Sequence, residues 1–490
     1  MSLTFDPAEI AVPSGHHIGG EFVHLGPDDI EVLRPSDHQP FGAIADGGET
    51  AVDFAVAAAR KALKESRWAR VAPRERARVL RRWADLVDEA REDLARLEAA
   101  GSSRLISLTA TGDVVRAAEV IRFYAEYCDK LEGQVTATEE GSLSLVRNEP
   151  YGIVGAIVPW NFPMITAAWK FAPALAAGNA MVMKTSELTP HSLLALAGLA
   201  GKAGLPAGLF NVVNGLGPTT GGAIVRHPDI RKVSFTGSSG TGLAIIREAR
   251  IKPLTLELGG KSPQLVFADA GDLDTVSARV AAAFMANAGQ VCTAGSRLIV
   301  QNAIADELLA RVERRCKAVR PGPTWDARTD FAPIISRRQA DRIDALVRQT
   351  VKEGAAIRFG GNFLESRNAG AFYAPTMLEG VSEEMTGFRE EFFGPVVSVH
   401  RFDDIEEGVA LADHPSFGLA ASVHTTDIRK ALHAADRIEA GTVWVNHHGR
   451  APEFTSPAGG FKSSGYGKDM GRAGMEAYLR KKAVWVNYVQ

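Results

Sequence analysis

Of the three cysteines in this 490-residue chain, Cys292 has surroundings unlike those of the other two. Cys128 closes an apolar stripe at helical spacing with Val114, Ala118, Ile121 and Ala125, and Cys316 sits on another with Leu308, Val312 and Val319. Both read as small buried hydrophobes. Cys292 lies between Gly289 and Gly295 in the run Asn-Ala-Gly-Gln-Val-Cys-Thr-Ala-Gly. That pattern suits a backbone turn presenting a side chain rather than a helix burying one. A cysteine nucleophile reacts as the thiolate, and a free thiol has a pKa of about 8.5, so its site must supply activation. A structural cysteine between glycines has the same spacing, so the reading depends on partners.

Three segments offer them. Residues 159–163, Pro-Trp-Asn-Phe-Pro, follow an apolar run and put the Asn161 amide at the carboxyl end of a strand. Residues 255–261, Thr-Leu-Glu-Leu-Gly-Gly-Lys, place the Glu257 carboxylate in an apolar strand that ends in two glycines. A satisfied core carboxylate is the competing reading there. Residues 235–242, Phe-Thr-Gly-Ser-Ser-Gly-Thr-Gly, form a glycine-rich passage from strand to helix. Backbone N–H groups in such a passage can meet a pyrophosphate, and a plain turn is the alternative.

The elements that must hold these residues follow from periodicity. Short apolar runs at 153–158, 180–184, 210–213 and 232–235 are separated by helical segments or Gly/Pro turns. Buried parallel strands joined by crossover helices have this pattern, and ligands of such sheets bind beyond the strands' carboxyl ends. Upstream, helical spacing predicts helices over 52–68, 74–99 and 113–129. A second alternation of strands and helices runs from 264 to about 446. A last strand over 483–488, with Val484, Trp485, Val486 and Tyr488, is either an ordinary edge or a surface for self-association.

Composition bounds the function. The chain is 46% hydrophobic and 23% charged, an ordinary globular balance that at this length predicts two or three domains. A net charge of -3 supplies no basic field for nucleic acid. The N-terminus lacks the pattern of a signal peptide, and no apolar stretch reaches the roughly 18 residues that span a membrane. The longest candidate, 171–183, is interrupted by Pro173, Gly178 and Asn179. Three cysteines make neither a disulfide framework nor a zinc pattern, so no metal is expected and a reducing, cytoplasmic location is the default.

Taken together, these segments closely resemble the aldehyde dehydrogenase superfamily, in its NAD(P)-dependent hydrolytic type, from about residue 30 to the end. The resemblance is carried by 159–163, Lys-Thr-Ser-Glu at 184–187, 237–242, 257–261 and 287–297. Glu-Glu-Phe-Phe-Gly-Pro-Val at 390–396 and Gly-Gly-Phe-Lys-Ser-Ser-Gly at 459–465 add to it. It implies an α/β fold of two Rossmann-like open α/β domains plus a small β oligomerisation element. Residues 1–129 and 150–257 would form the NAD-binding domain, 258–463 the catalytic domain, and 130–149 with 464–490 the bridging element. The implied assembly is a homodimer or homotetramer.

By the same resemblance, Cys292 is the nucleophile that takes an aldehyde through a thiohemiacetal to a thioester. Asn161 and the backbone N–H of Cys292 form its oxyanion hole, worth about 3 kcal/mol per donor. Glu257 is the base that activates water for hydrolysis. Its presence argues against transfer to coenzyme A, and Cys292, Glu257 and Asn161 together argue against an inactive structural or binding member. Lys170 with Asp469 either relays the proton from Glu257 or forms a surface ion pair. Lys184 and Glu187 hold the adenosine ribose, and the carboxylate favours NAD while leaving NADP possible. Gly237 and Ser238 face the pyrophosphate, Glu391 and Phe393 the nicotinamide side, and Trp160, Gly217 and Gly242 complete the cofactor set.

The substrate tunnel implied by the resemblance involves Phe162, Thr166, Trp169, Val291, Thr293 and the loop 447–458. Small side chains at Thr166, Ala286 and Ala458 predict a wide tunnel for a bulky, branched or aromatic aldehyde. His447, His448 and Arg450 would alternatively anchor the carboxylate of a semialdehyde, or be solvated loop residues. Two segments depart from the common pattern: 101–106, Gly-Ser-Ser-Arg-Leu-Ile, where many relatives carry Gly-Lys-Pro, and 446–454.

Overall fold

The computed structural model describes residues 3–26, 30–364, 370–449 and 453–489. An eight-stranded sheet runs in the order Glu21–Val23, His16–Ile18, Phe210–Val213, Ala180–Lys184, Ile153–Ile157, Ile230–Thr236, Leu254–Glu257 and Gly465–Tyr466. Its five central strands are parallel, and only the added edges are antiparallel. The four expected apolar runs all form strands here. Ile153–Ile157 and Ala180–Lys184 are buried at every position, as strands covered on both faces must be.

The second α/β unit has seven strands, ordered Ala356–Phe359, Thr376–Glu379, Val396–Phe402, Arg297–Gln301, Pro263–Val266, Ala420–His424 and Thr442–Val445. All pair in parallel except the first. A separate antiparallel sheet joins Leu479–Asn487 to Ser142–Pro150 and Gln134–Thr136. The expected bridging stretch 464–490 is therefore divided. Its first strand, Gly465–Tyr466, returns to the first sheet against Leu254–Glu257. Only glycine permits this approach, since a Cβ on Gly465 would lie 1.9 Å from the Leu256 carbonyl oxygen.

The helices differ from expectation in instructive places. The first spans Gly48–Ser66 and stops at Arg67, which takes the left-handed conformation (φ 52°). Trp68 then starts a short 3-10 turn, buried, with its indole donating to Leu175 O at 2.9 Å. The single helix expected over 74–99 is two, Pro73–Glu89 and Arg91–Gly101, broken at Ala90 (φ -92°, ψ 12°). Glu92 and Asp93 fall in the first turn of the second, where carboxylates stabilise a helix start. The third is Val114–Tyr127 behind a π turn at Thr109–Asp113, and Cys128 caps its end rather than lying within it. Pro173 does not interrupt its segment, being carried inside the helix Pro163–Ala176. Among the described residues no helix is long and apolar enough to cross a membrane.

Helices and sheet share one core, in which Trp83 stacks on Phe171 with ring centroids 4.7 Å apart. A buried polar cluster links the second of the split helices to the helix that follows Asn161. The Glu98 carboxylate, 1% exposed, accepts from the Met164 backbone N–H at 3.3 Å, and so serves as a tertiary cap for Pro163–Ala176. Arg104 nearby holds Asp113 with two hydrogen bonds, 2.6 and 2.9 Å. Burial pushes Glu98 up to about 8, aided by the Asp113 charge. Between the ordinary carboxyl pKa and 8 the folded chain thus binds a proton that the unfolded chain lacks, and stability falls as pH rises through this window. Replacing Glu98 by Gln is expected to flatten that loss. Urea midpoints of Glu98→Gln and the parent protein, measured from pH 5 to pH 9, should shift in the variant's favour as pH rises.

Candidate active site

The carboxyl ends of the central strands open into a cavity of about 770 Å³. Asn161 follows Ile153–Ile157 in the loop before Pro163–Ala176, and Glu257 is the last residue of Leu254–Glu257. Both side chains reach the cavity wall, as does Cys292 from the second α/β unit. The site is thus built from both units, the first supplying residues at the carboxyl ends of strands and the second a turn between a helix and a strand.

Cys292 owes its position to a strained turn. Asn287, Ala288 and Gly289 have φ of 51°, 50° and 73°, so the chain reverses after the helix Leu273–Met285 instead of continuing it. At Gly289 a Cβ would lie 2.0 Å from the Gly394 carbonyl oxygen, and at Gly260 it would lie 2.3 Å from that of Cys292. Gln290, fully buried, secures the turn. Its Nε2 donates to Asn287 O (2.9 Å) and Pro333 O (3.1 Å), and its Oε1 accepts from Ile335 N (2.8 Å). Its carbonyl accepts from Asn161 Nδ2 at 2.9 Å. An amide nitrogen carries two N–H groups, so Asn161 keeps one for a ligand.

The three cysteines now separate physically. Burial pushes Cys128 up to about 11 and Cys316 up to about 12, which holds both as thiols. Cys292 is half-buried at the cavity.

Glu257 shares a face with Thr255 by the two-residue period of its strand. Thr255 pairs across the ladder with Ser234, and Glu257 with Thr236. Beneath this face lies a polar network that the sequence did not distinguish from a surface pair. Lys170 and Asp469, 0% and 1% exposed, are 2.9 Å apart, and Lys170 also donates to Ser234 Oγ at 2.9 Å. Lys232 donates to Thr255 Oγ1 at 2.8 Å, and burial brings it down to about 8 against the pull of the Asp469 charge. Gly459 stands over Glu257, where a Cβ would be 3.0 Å from Oε1.

The other end of the cavity has the features of a dinucleotide site. Ser238 caps the helix Ser239–Ala249 by accepting from Thr241 N at 3.2 Å, and Gly237, Ser238 and Gly240 line the wall. Apart from its own helix and chain neighbours, nothing stands within 4 Å of where a Gly240 Cβ would be, so the start of this helix faces open space. Trp160 and Phe393 meet edge to face at 5.2 Å. Glu391 accepts from Gly260 N at 3.0 Å, and burial pushes it up to about 7. Lys184, buried, bonds Glu187 at 3.1 Å; burial holds its ammonium below the ordinary value while the carboxylate opposes this. Lys184, Glu187, Gly217 and Gly242 lie off this cavity wall, and Gly242 instead makes room for Leu258.

Phe162, Thr166, Trp169, Val291 and Thr293 all line the cavity, as does Ala286. Ala458 does not: it is fully buried and exchanges backbone hydrogen bonds with Asp469. His448 is neither anchor nor solvated. Its Nδ1 meets Ser422 Oγ at 3.0 Å and its Nε2 meets Thr293 O at 2.8 Å, and burial holds it down at about 4. It braces the residue after Cys292. His447 is exposed, and Arg450 lies outside the described residues. Phe454, from the expected tunnel loop 447–458, lines the wall too, whereas sequence reasoning missed Arg104, Leu108, Arg116 and Met470, which reach it from distant segments.

Comparison with known proteins agrees with this geometry. Residues 22–484 match the family described as the aldehyde dehydrogenase family. An aldehyde dehydrogenase of Aspergillus niger is 41% identical over 96% of this chain and 95% of its own length. The NADP/NAD-dependent aldehyde dehydrogenase PuuC of Escherichia coli is 38% identical over 98% and 96%. Among solved structures, the indole-3-acetaldehyde dehydrogenase AldA of P. syringae, in complex with NAD+ and IAA, superposes with a TM-score of 0.95 at 36% identity, covering 98% of both chains. The gamma-glutamyl-gamma-aminobutyraldehyde dehydrogenase of Burkholderia cenocepacia gives 0.95 at 37% identity, covering 99% and 98%. With a cysteine, an amide and a carboxylate gathered on one cavity and a family match over nearly its whole length, the chain belongs to the aldehyde dehydrogenase family of oxidoreductases.

Proposed function

We propose that the protein oxidises an aldehyde to its carboxylic acid with NAD+, through a covalent intermediate on Cys292. The observation that carries this reading is the single cavity, which joins Cys292, Asn161 and Glu257 to Gly237, Ser238, Glu391 and Phe393. Bound along that second set, the nicotinamide cofactor supplies the hydride acceptor. The glycine-lined start of Ser239–Ala249 fits its pyrophosphate, and Lys184 with Glu187 its adenosine ribose.

Cys292 Sγ, as thiolate, bonds to the carbonyl carbon, and the oxygen takes the negative charge as a thiohemiacetal. The remaining N–H of Asn161 and the Cys292 backbone N–H hold that oxygen. When the C–H bond breaks with its electron pair, the carbonyl re-forms as a thioester. Glu257 then removes a proton from water as its oxygen attacks, and the Cys292 thiolate leaves with the acid as product. The proton passes from Glu257 towards the buried Lys170–Asp469 pair. Phe162, Trp169 and Phe454, with small Thr166 and Ala286, suit a bulky or branched substrate. The exposed Trp485 and Tyr488 of the last sheet support self-association, and three unbridged cysteines fit a reducing, cytoplasmic setting.

Three substitutions test the assignments. Cys292→Ser should lower NADH formation by about a thousandfold or more, with NAD+ affinity by calorimetry nearly unchanged. Glu257→Gln should slow hydrolysis by about a hundredfold and leave the acyl group on Cys292, seen as a mass adduct in intact-protein spectra. Normal turnover in Glu257→Gln would remove it as the base. Glu187→Ser should reduce the preference for NAD+ over NADP+, read as the ratio of kcat/KM values, by about tenfold.

A further inference from the structure

The substrate end of the cavity carries a positive charge that the proposed reaction does not use. Arg104 and Arg116 both line it, and neither forms an ion pair with a carboxylate of the cavity wall among the described residues. Glu257 belongs to the floor, and Glu391 to the cofactor end with the helix Arg337–Lys352.

Only one of the two guanidinium groups has a counter-ion among the described residues. Arg104 gives Nε and Nη2 to Asp113 and stacks over the Phe162 ring at 4.3 Å. Its Nη1 makes no hydrogen bond among the described residues. Arg116 follows Asp113 by one turn of Val114–Tyr127 yet has neither ion pair nor hydrogen bond among the described residues. Glu98, behind this pair, is held neutral at ordinary pH by its burial and so does not cancel the surplus. A planar guanidinium with unused N–H groups beside aromatic walls is matched by a carboxylate, which accepts in the same fork geometry.

We propose that Arg116, with the free Nη1 of Arg104, binds a carboxylate at the end of the substrate remote from its aldehyde, making the substrate class an oxo acid. The placement rests on the reading that Cys292 receives the aldehyde. His448 is not available for this task, because both of its ring nitrogens are already engaged. The anchor therefore comes from the first α/β unit and not from the loop after Thr442–Val445.

The test compares straight-chain ω-oxo acids with their methyl esters as substrates of the full-length protein with NAD+. The acid is expected to lead in kcat/KM by about tenfold or more, mainly through KM and less at high salt. Arg116→Met should bring the acid-to-ester ratio to within about twofold of unity, and Arg116→Lys should keep part of the preference. A second measurement needs no turnover: calorimetric binding of straight-chain dicarboxylates against their monomethyl esters, to the same three proteins. An acid-to-ester ratio near one in the parent protein, or a ratio unmoved by Arg116→Met, overturns the proposal. If the parent turns over neither compound but binds dicarboxylates through Arg116, the anion site stands and the thioester chemistry fails. If the dicarboxylates bind no better than their esters, the anion site fails.

Discussion

The site depends on one contact that leaves no room for a side chain. Where Gly289 turns against the Gly394 carbonyl, a Cβ would sit 2.0 Å away, so the reversal that presents Cys292 exists only because that atom is missing. The same contact joins two motifs far apart in sequence. Behind Gly394 stand Glu391 and Phe393, which face the cofactor end, so the turn that carries Cys292 and the cofactor wall are fixed to each other directly. Gln290 completes the arrangement by occupying donors and acceptors on both sides of the turn. The left-handed Asn287 and Ala288 are then not free to relax into the preceding helix.

Much of this was legible in the residues because the chemistry sits where periodicity changes. Asn161 and Glu257 are found at strand ends, where an apolar run gives way to Pro or Gly, and Cys292 lies in a turn between glycines. The opposite wall was not legible. Arg116 reaches the cavity from Val114–Tyr127, packed against Pro163–Ala176, and Arg104 from the segment before it, held by Asp113; helical spacing reports only which face is apolar. The break at Ala90 was hidden because apolar spacing continues across it, although Glu92 and Asp93 carried the signal of a new helix. A two-residue strand such as Gly465–Tyr466 has no period to detect at all.

The polar layer beneath Glu257 illustrates how burial changes the meaning of an ion pair. Lys170 and Asp469 would contribute little on a surface. Enclosed, each would be costly alone, and removing either would strand the other in a medium that cannot solvate it. Ser234 and Thr255 extend this layer across two neighbouring strands, so the carboxylate proposed as base stands on a fixed electrostatic floor set by the sheet register. His448 does comparable work on the other side of the cavity, where a neutral imidazole holds Thr293 in place without adding charge.

The late return of the chain to the first sheet has a consequence for biosynthesis. Gly459, Gly465 and Asp469, which surround Glu257 and its floor, all follow the parallel strands of both sheets in the chain. A nascent chain folds from its beginning, so the parallel strands of both sheets can assemble on the ribosome while this corner of the pocket is still missing. The Glu257 carboxylate thus gains its full surroundings only when this late segment is in place. The pocket around Glu257 is thus closed by a segment made after the strands it packs on, so assembly of the scaffold and closure of the pocket are separate events.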